Sequence, residues 1–388
     1  MELLRCTRLD LHFRVFSNST TILKPLKQFP SLNYGVPIQN MQLQVRAEVA
    51  RREENPSQVE VNKSSLYVDG VLRLQKSHIT EGIQGRSELI FLGTGTSEGI
   101  PRVSCLTHPS KECSVCWAAT RFGNKNRRRN TSIVIRVGTS SSRWKTILID
   151  AGKYFYHSAL QWFPYYGIRE LDAVLLTHSH ADAAGGLDDL RDWTNNIQAT
   201  AQVYATCRDL EVLAKTHYYL VDTSVITAGT AVSNLQFTPI SEDPFFVCGL
   251  KVTPLPVWHG AGYRSLGFRV GDICYISDVS GIPEETYPLL SNCEILILDA
   301  LRPDYSTATH FGLPQALKEV RKIRPNRTLF TGMLEVHTID LCESLKFKSM
   351  MHLMDHDKIN ELLAQLKISE GLDAELSYDG LQISINLG

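Results

Sequence analysis

From Glu88 onward, short apolar runs alternate with polar and amphipathic stretches. "ELIFLG", "SIVIRV", "KTILID", "DAVLLT", "LQFTPI", "KVTPLPV", "LGFRV", "DICYIS", "EILILD", "RTLFT" and "LQISI" are rich in Ile, Leu and Val and bounded by Gly, Asp or Pro. That is the pattern of short β-strands. Helical spacing is expected around Leu187–Trp193, Arg208–His217, Leu313–Ile323 and Lys358–Leu366. Early strands follow one another across loops, and later ones alternate with helices. The pattern predicts an α/β (α+β) protein, with sheets packed together and helices outside.

Residues 1–87 lack this periodicity. Their beginning, "MELLRCTRLDLHFRVFSNSTTILKPLK", sets Arg5, Arg8, Arg14, Lys24 and Lys27 among Leu, Phe, Ser and Thr, with only Glu2 and Asp10 acidic. It reads as an organelle transit peptide and linker, largely disordered, for a chloroplast or mitochondrion. A disordered extension of a cytoplasmic protein is the alternative. Residues 88–388 then form the folded domain. The 388-residue chain is 43% hydrophobic and 21% charged, with a formal net charge of -1. A whole-surface electrostatic grip on nucleic acid is not indicated, although a local basic patch stays open. No apolar run is long enough to span a bilayer. Nine cysteines, an odd number and mostly scattered, argue for a reducing compartment over a disulfide framework.

The chemistry concentrates in "LLTHSHADAAGGLDDLR", Leu175 to Arg191. His178, His180 and Asp182 occupy alternate positions between an apolar run and an expected helix. A tight strand-to-helix turn can aim all three at one point, and such His/Asp donors suit zinc, manganese or iron. Elsewhere, Cys105, Cys113 and Cys116 cluster in sequence, and three thiolates can hold a structural zinc when a fourth ligand joins them. The run "NKNRRRNTS", with Lys125, Arg127, Arg128 and Arg129, reads first as a solvated loop and second as a phosphate contact. Arg191 is open to either role.

The stretch from Glu88 to the C-terminus resembles the metallo-β-lactamase superfamily, whose signature is His-x-His-x-Asp-His after a strand. "LIFLGTGTSEGIPR" is similar to its opening strand and Gly-rich turn, and "TILIDAG" to its Asp-x-Gly, here Asp150 and Gly152. "PVWHG" supplies His259, "YISDVSG" supplies Asp278, and "MHLMDH" supplies His352. The resemblance implies a four-layer αββα sandwich. It also implies a catalytic centre of one or two Zn2+ or Mn2+ ions on His178, His180, Asp182, His259, Asp278 and His352. The nearest subgroup resembled is the cyclic phosphodiesterase of the bacterial phosphonate pathway and its eukaryotic relatives. On that pattern His356 is the fourth ligand of the cysteine zinc, with Asp355 and His108 as alternatives. His310, in "STATHFGL", stands where the family carries a histidine near the substrate, a candidate general acid.

Two departures stand out. Ala183 occupies the place of the family's next histidine, so the second ion loses a ligand; a water, or Asp188 or Asp189, would have to fill the gap. Between "RTLFTGM" and "MHLMDH" lies "LEVHTIDLCESLKFKSM", an insertion near 334–350 that carries His337 as a rival ligand. The expectation is a metal-dependent hydrolase, acting on a small or cyclic phosphodiester through a metal-bound hydroxide, with Asp182 and His310 as catalytic residues. A homodimer is common for such folds. The alternatives are a tRNA 3′-processing-type endonuclease and a catalytically impaired, metal-stabilised binding protein.

Overall fold

The structure, a computed structural model, describes residues 85–334 and 355–387, apart from 142, 223, 225–226 and 228–229. The expected transit peptide, most of the insertion, His337 and His352 lie outside the described residues. Two seven-stranded mixed sheets form the centre. In the first the order is β14 (Gln382–Ile385), β1 (Ser87–Gly93), β2 (Ser132–Gly138), β3 (Trp144–Ile149), β4 (Ala173–Leu175), β5 (Ala201–Thr206) and β6 (Leu235–Ile240). In the second it is β13 (Ala374–Leu376), β12 (Arg327–Thr331), β11 (Ile295–Asp299), β10 (Ile273–Ile276), β9 (Arg264–Val270), β8 (Leu250–Trp258) and β7 (Phe245–Val247).

Strand alternation builds the four layers. In β1, Leu89 and Phe91 face the second sheet and pack in one core with Ile133, Ile147, Phe268, Tyr275, Ile297 and Leu329. Ile90 and Leu92 point the other way, onto a core with Phe155, Phe163, Leu187, Trp193 and Leu213 from the outer helices. The second sheet does the same. Ile276, Leu296 and Leu298 lie under Leu313, Val320, Ile359 and Leu363 of helices Leu313–Ile323 and His356–Glu370. Because both faces of each sheet are buried, the strands are continuous apolar runs. The αββα sandwich expected from the sequence is the fold observed.

Three strands were not anticipated: β5, β7 and β13. β7 and β13 span three residues each. β5 is "AQVYAT", whose small and polar residues carry little strand signal. Helix Phe155–Tyr166 was also missed, because its aromatic run and internal Pro164 hide the helical period. Among the described residues, no helix is long and apolar enough to cross a membrane.

The ends of β3, β4, β8, β10, β11 and β12 deliver the candidate site. Backbone packing there is tight. A Cβ at Gly152 would lie 1.9 Å from the Asp182 carbonyl oxygen, so only glycine lets the turn after β3 meet the turn after β4. Gly332, at φ +71°, similarly brings the end of β12 against Asp299: a Cβ there would lie 2.3 Å from Asp299 Oδ1. Gly152→Ala is expected to destabilise the protein by about 2 kcal/mol or more, as overpacking of a rigid contact does. Urea denaturation measures this, and a wild-type midpoint would refute the close approach.

Candidate metal centre

The chain leaves β4 as Leu176, Thr177 and His178, and Asp182 sits in the first turn of the short helix Ala181–Ala184. His259 follows β8, and Asp278 lies two residues beyond β10. These elements are far apart in sequence, yet their side chains converge. His178, His180 and His259 each bring a ring nitrogen within 4.8 Å of the others, and so do His178, Asp182 and Asp278. His259, Asp278 and His310 form a third such group. His178 Nε2 lies 3.7 Å from Asp182 Oδ1 and 3.8 Å from Asp278 Oδ2, and His259 Nε2 lies 3.8 Å from the same Asp278 oxygen. These separations are too long for hydrogen bonds and suit donors that share a cation.

The proton positions support that reading. Thr177 Oγ1 donates to the Asp150 carboxyl at 2.9 Å, so it accepts from His178 Nδ1, also at 2.9 Å. That leaves the His178 Nε2 lone pair facing the centre, buried and with no hydrogen bond; Asp182 Oδ1 is likewise without one. His259 Nδ1 donates to the Thr309 carbonyl at 2.8 Å, which turns its Nε2 toward His180 Nδ1 at 3.3 Å. Both nitrogens face the centre, and a cation there would take both lone pairs. The donor set fits a divalent ion, and His178, His180, His259 and Asp278 would hold it.

Electrostatics agree. Burial pushes His178 down to about 4, only partly offset by Asp278 and Asp182, so its imidazole is neutral and free to coordinate. Burial also lowers His259. For Asp278 burial works upward, but the surrounding imidazoles outweigh it and keep the carboxylate charged. Burial pushes Asp150 well up, a cost that a cation in the centre relieves. His310 differs: Asp299, fully buried, accepts from its Nδ1 at 2.9 Å. Burial alone would lower His310, but Asp299, with Asp278 and Asp182 behind it, carries it up to about 9. Its Nε2 lies 3.9 Å from Asp278 Oδ2.

Ala183 lines a small cavity beside this centre, together with Gly95, Thr96, Thr131, Asp150, His178, Asp182 and Asp278. The cavity offers about 10 Å³ to the centre of a water molecule, roughly the room one water or ion needs. Neither Asp188 nor Asp189 joins a ligand group among the described residues. Asp188 is bound instead by Arg191 at 2.6 and 2.7 Å, which also settles the place of Arg191.

Several participants gave no sequence signal. Ser97, in the Gly-rich turn, donates to Asp182 Oδ2 and thereby leaves Oδ1 for the centre. Thr177 and Thr309 orient histidines. Asp299 could have been found, because it ends a strand as Asp150 follows one. The arginine run is not a solvated loop. Backbone pairing between Ile100 and Arg128, at 2.7 and 3.0 Å, draws it inward, the Arg128 side chain is fully buried, and Arg127 donates to the Ala119 and Thr120 carbonyls.

The sulfurs of Cys105, Cys113 and Cys116 also lie within 4.8 Å of one another, and all three residues are buried. Backbone amides of Cys116 and Arg102 donate to the Cys113 and Cys116 sulfurs, each at 3.2 Å. His356, expected as the fourth ligand, does not join this group. The first residue of its helix, it is held by Asn126, which accepts from its backbone N–H, and by Asn360 and the Tyr378 ring. Asp355 caps that helix and His108 bonds Ser110. The buried His356 Nδ1 has no hydrogen-bond partner, so His356 stays the expected fourth ligand.

Residues 145–333 match the model of the β-lactamase superfamily domain. The fold resembles the crystal structure of a diphosphatase from the PhnP family: 27% identity, 78% of this chain and 99% of that one, TM-score 0.59. It also resembles zinc-bound PqqB from Methylobacterium extorquens: 19% identity, 77% of this chain and 100% of that one, TM-score 0.52. An octanoyltransferase of Porphyromonas gingivalis (strain ATCC BAA-308 / W83) is 32% identical over 236 residues, 60% of this chain. The chain spans only 43% of that protein, so its name does not transfer. Residues 145–333, just under half of the chain, thus match the β-lactamase superfamily domain, and the fold is one shared with the PhnP-family diphosphatase. Elemental analysis checks the two metal groups. His178→Ala and Cys113→Ser are expected each to lose a different pool of bound metal, and loss of one common pool would contradict separate sites.

Proposed function

We propose that the protein hydrolyses a small or cyclic phosphodiester. The observation that carries this reading is the pairing of an open His/Asp ligand group with a histidine at its edge, His310, which Asp299 holds through Nδ1. The likeness to a diphosphatase at 27% identity over nearly all of that chain supports phosphorus as the target. A divalent ion held by His178, His180, His259 and Asp278 would lower the pKa of a bound water and offset phosphoryl charge.

The residues of the chain do the remainder. Asp182, fixed by Ser97 through Oδ2, presents Oδ1 to the attacking water and takes its proton. Oxygen bonds to phosphorus as the opposite ester bond breaks. His310, backed by Asp299, gives its Nε2 proton to the departing oxygen. The Ala183 gap weakens a second ion without touching the first ligand group. One well-held ion per catalytic centre is therefore the expected occupancy, and zinc or manganese both suit the donors.

Turnover of bis(p-nitrophenyl) phosphate tests the reaction; bound metal without turnover would mean a binding protein. His310→Ala should slow an alkyl phosphodiester by about 10²–10⁴-fold and bis(p-nitrophenyl) phosphate much less, because p-nitrophenolate departs without a proton. Equal losses on both substrates would remove His310 from the acid role. Ala183→His should raise catalytic metal from one ion toward two per chain, measured by elemental analysis in a Cys113→Ser background. An unchanged ratio would mean that the gap is not what limits the second ion.

A further inference from the structure

The three imidazoles are not held alike. His178 is buried and tied through Thr177 to Asp150. His259 is buried and tied to the Thr309 carbonyl. His180 is exposed, and among the described residues its ring nitrogens meet one partner, His259 Nε2, 3.3 Å from its Nδ1 inside the centre. Metal-binding histidines ordinarily donate their second nitrogen to a carboxylate, carbonyl or water, which fixes the ring. What His180 has instead is a face. The Tyr263 ring stacks on it at 5.2 Å between centroids and 12° between planes.

Tyr263 is itself firmly placed. Its carbonyl accepts from the His259 amide at 2.9 Å, closing the turn between β8 and β9. Its hydroxyl lies 3.5 Å from Oδ1 of Asp209, which is fully buried. Its other face carries the Arg208 guanidinium at 4.2 Å, and Arg208 pairs with the same Asp209 at 3.0 Å and donates to the Arg264 carbonyl. The order is guanidinium, phenol, imidazole. A buried carboxylate anchors the first two and the third faces the metal centre.

We infer that Tyr263 is a positioning residue for the metal: its ring, clamped by Arg208 and Asp209, sets the plane of the exposed His180. The inference rests on the reading of the histidine group as a metal centre. The planar face does the work and the hydroxyl only anchors it. A ring without a hydroxyl preserves the effect, and an apolar side chain without a ring does not.

The test is zinc affinity of metal-stripped full-length protein, by competition with a chromophoric chelator, for wild type, Tyr263→Phe and Tyr263→Leu. Loss of such support costs about 10–100-fold in metal affinity. Tyr263→Leu should weaken zinc at the histidine group by that factor. Tyr263→Phe should stay close to wild type, because it keeps the ring face that contacts His180. Zinc bound by the cysteine group serves as the internal control, because a general loss of structure would weaken both. Wild-type affinity in Tyr263→Leu, an equal loss in Tyr263→Phe, or a parallel loss at the cysteines overturns the inference. If wild-type protein takes up no zinc at the histidine group, the metal reading itself falls, and the inference with it.

Discussion

A buried polar atom without a hydrogen bond costs about 1–3 kcal/mol, and this fold places two of them face to face. His178 Nε2 and Asp182 Oδ1 have no hydrogen-bond partner, although their neighbours are arranged with care. Thr177 and Asp150 hold the other nitrogen of His178, and Ser97 holds the other oxygen of Asp182. Second hydrogen bonds would have been easy to supply where first ones are so well made. His259 Nε2 and Asp278 Oδ2 lie beside them, 3.8 Å apart. A cation at His178 Nε2 and a water at Asp182 Oδ1 would satisfy both, and the remaining features of the site follow from that need.

The scaffold meets it with strand ends. Both faces of each sheet are covered, so the strands are rigid and their termini fixed relative to one another. Glycine at 152 lets two of these termini approach to backbone contact, and glycine at 332 brings a third against Asp299. Asp150 itself sits at φ 64°, an unusual conformation for a residue other than glycine, and from there reaches both Thr177 and the Tyr275 hydroxyl. The outer ligand His180 lacks such packing and depends on the Tyr263 face. Precision thus passes from sheet to turn to ring, and it is weakest where the centre opens to solvent.

Much of this was legible in the sequence. The layered fold could be read because both-face burial writes strands as apolar runs. His178, His180 and Asp182 could be read because they follow such a run; His259 and Asp278 came by resemblance. His310 was reached by resemblance, and its partner Asp299 was overlooked although it ends "EILILD". What stayed hidden acts through geometry and not through residue type. Ser97, Thr309 and Tyr263 belong to ordinary turns until folding brings them to the centre. The arginine run looked solvated because charge in a sequence says nothing of the backbone pairing that buries it. His356 comes to the cysteines by family pattern alone; its backbone is held by Asn126 and its ring meets Tyr378, while its Nδ1 has no hydrogen bond.

Anomalous diffraction at the zinc edge, from crystals of the metal-loaded protein, tests the central claim most directly. The account predicts a strong peak bounded by the side chains of His178, His180, His259 and Asp278, distinct from any peak among Cys105, Cys113 and Cys116. Density only at the cysteines, with the three imidazoles turned away from one another or bridged by water, would contradict it.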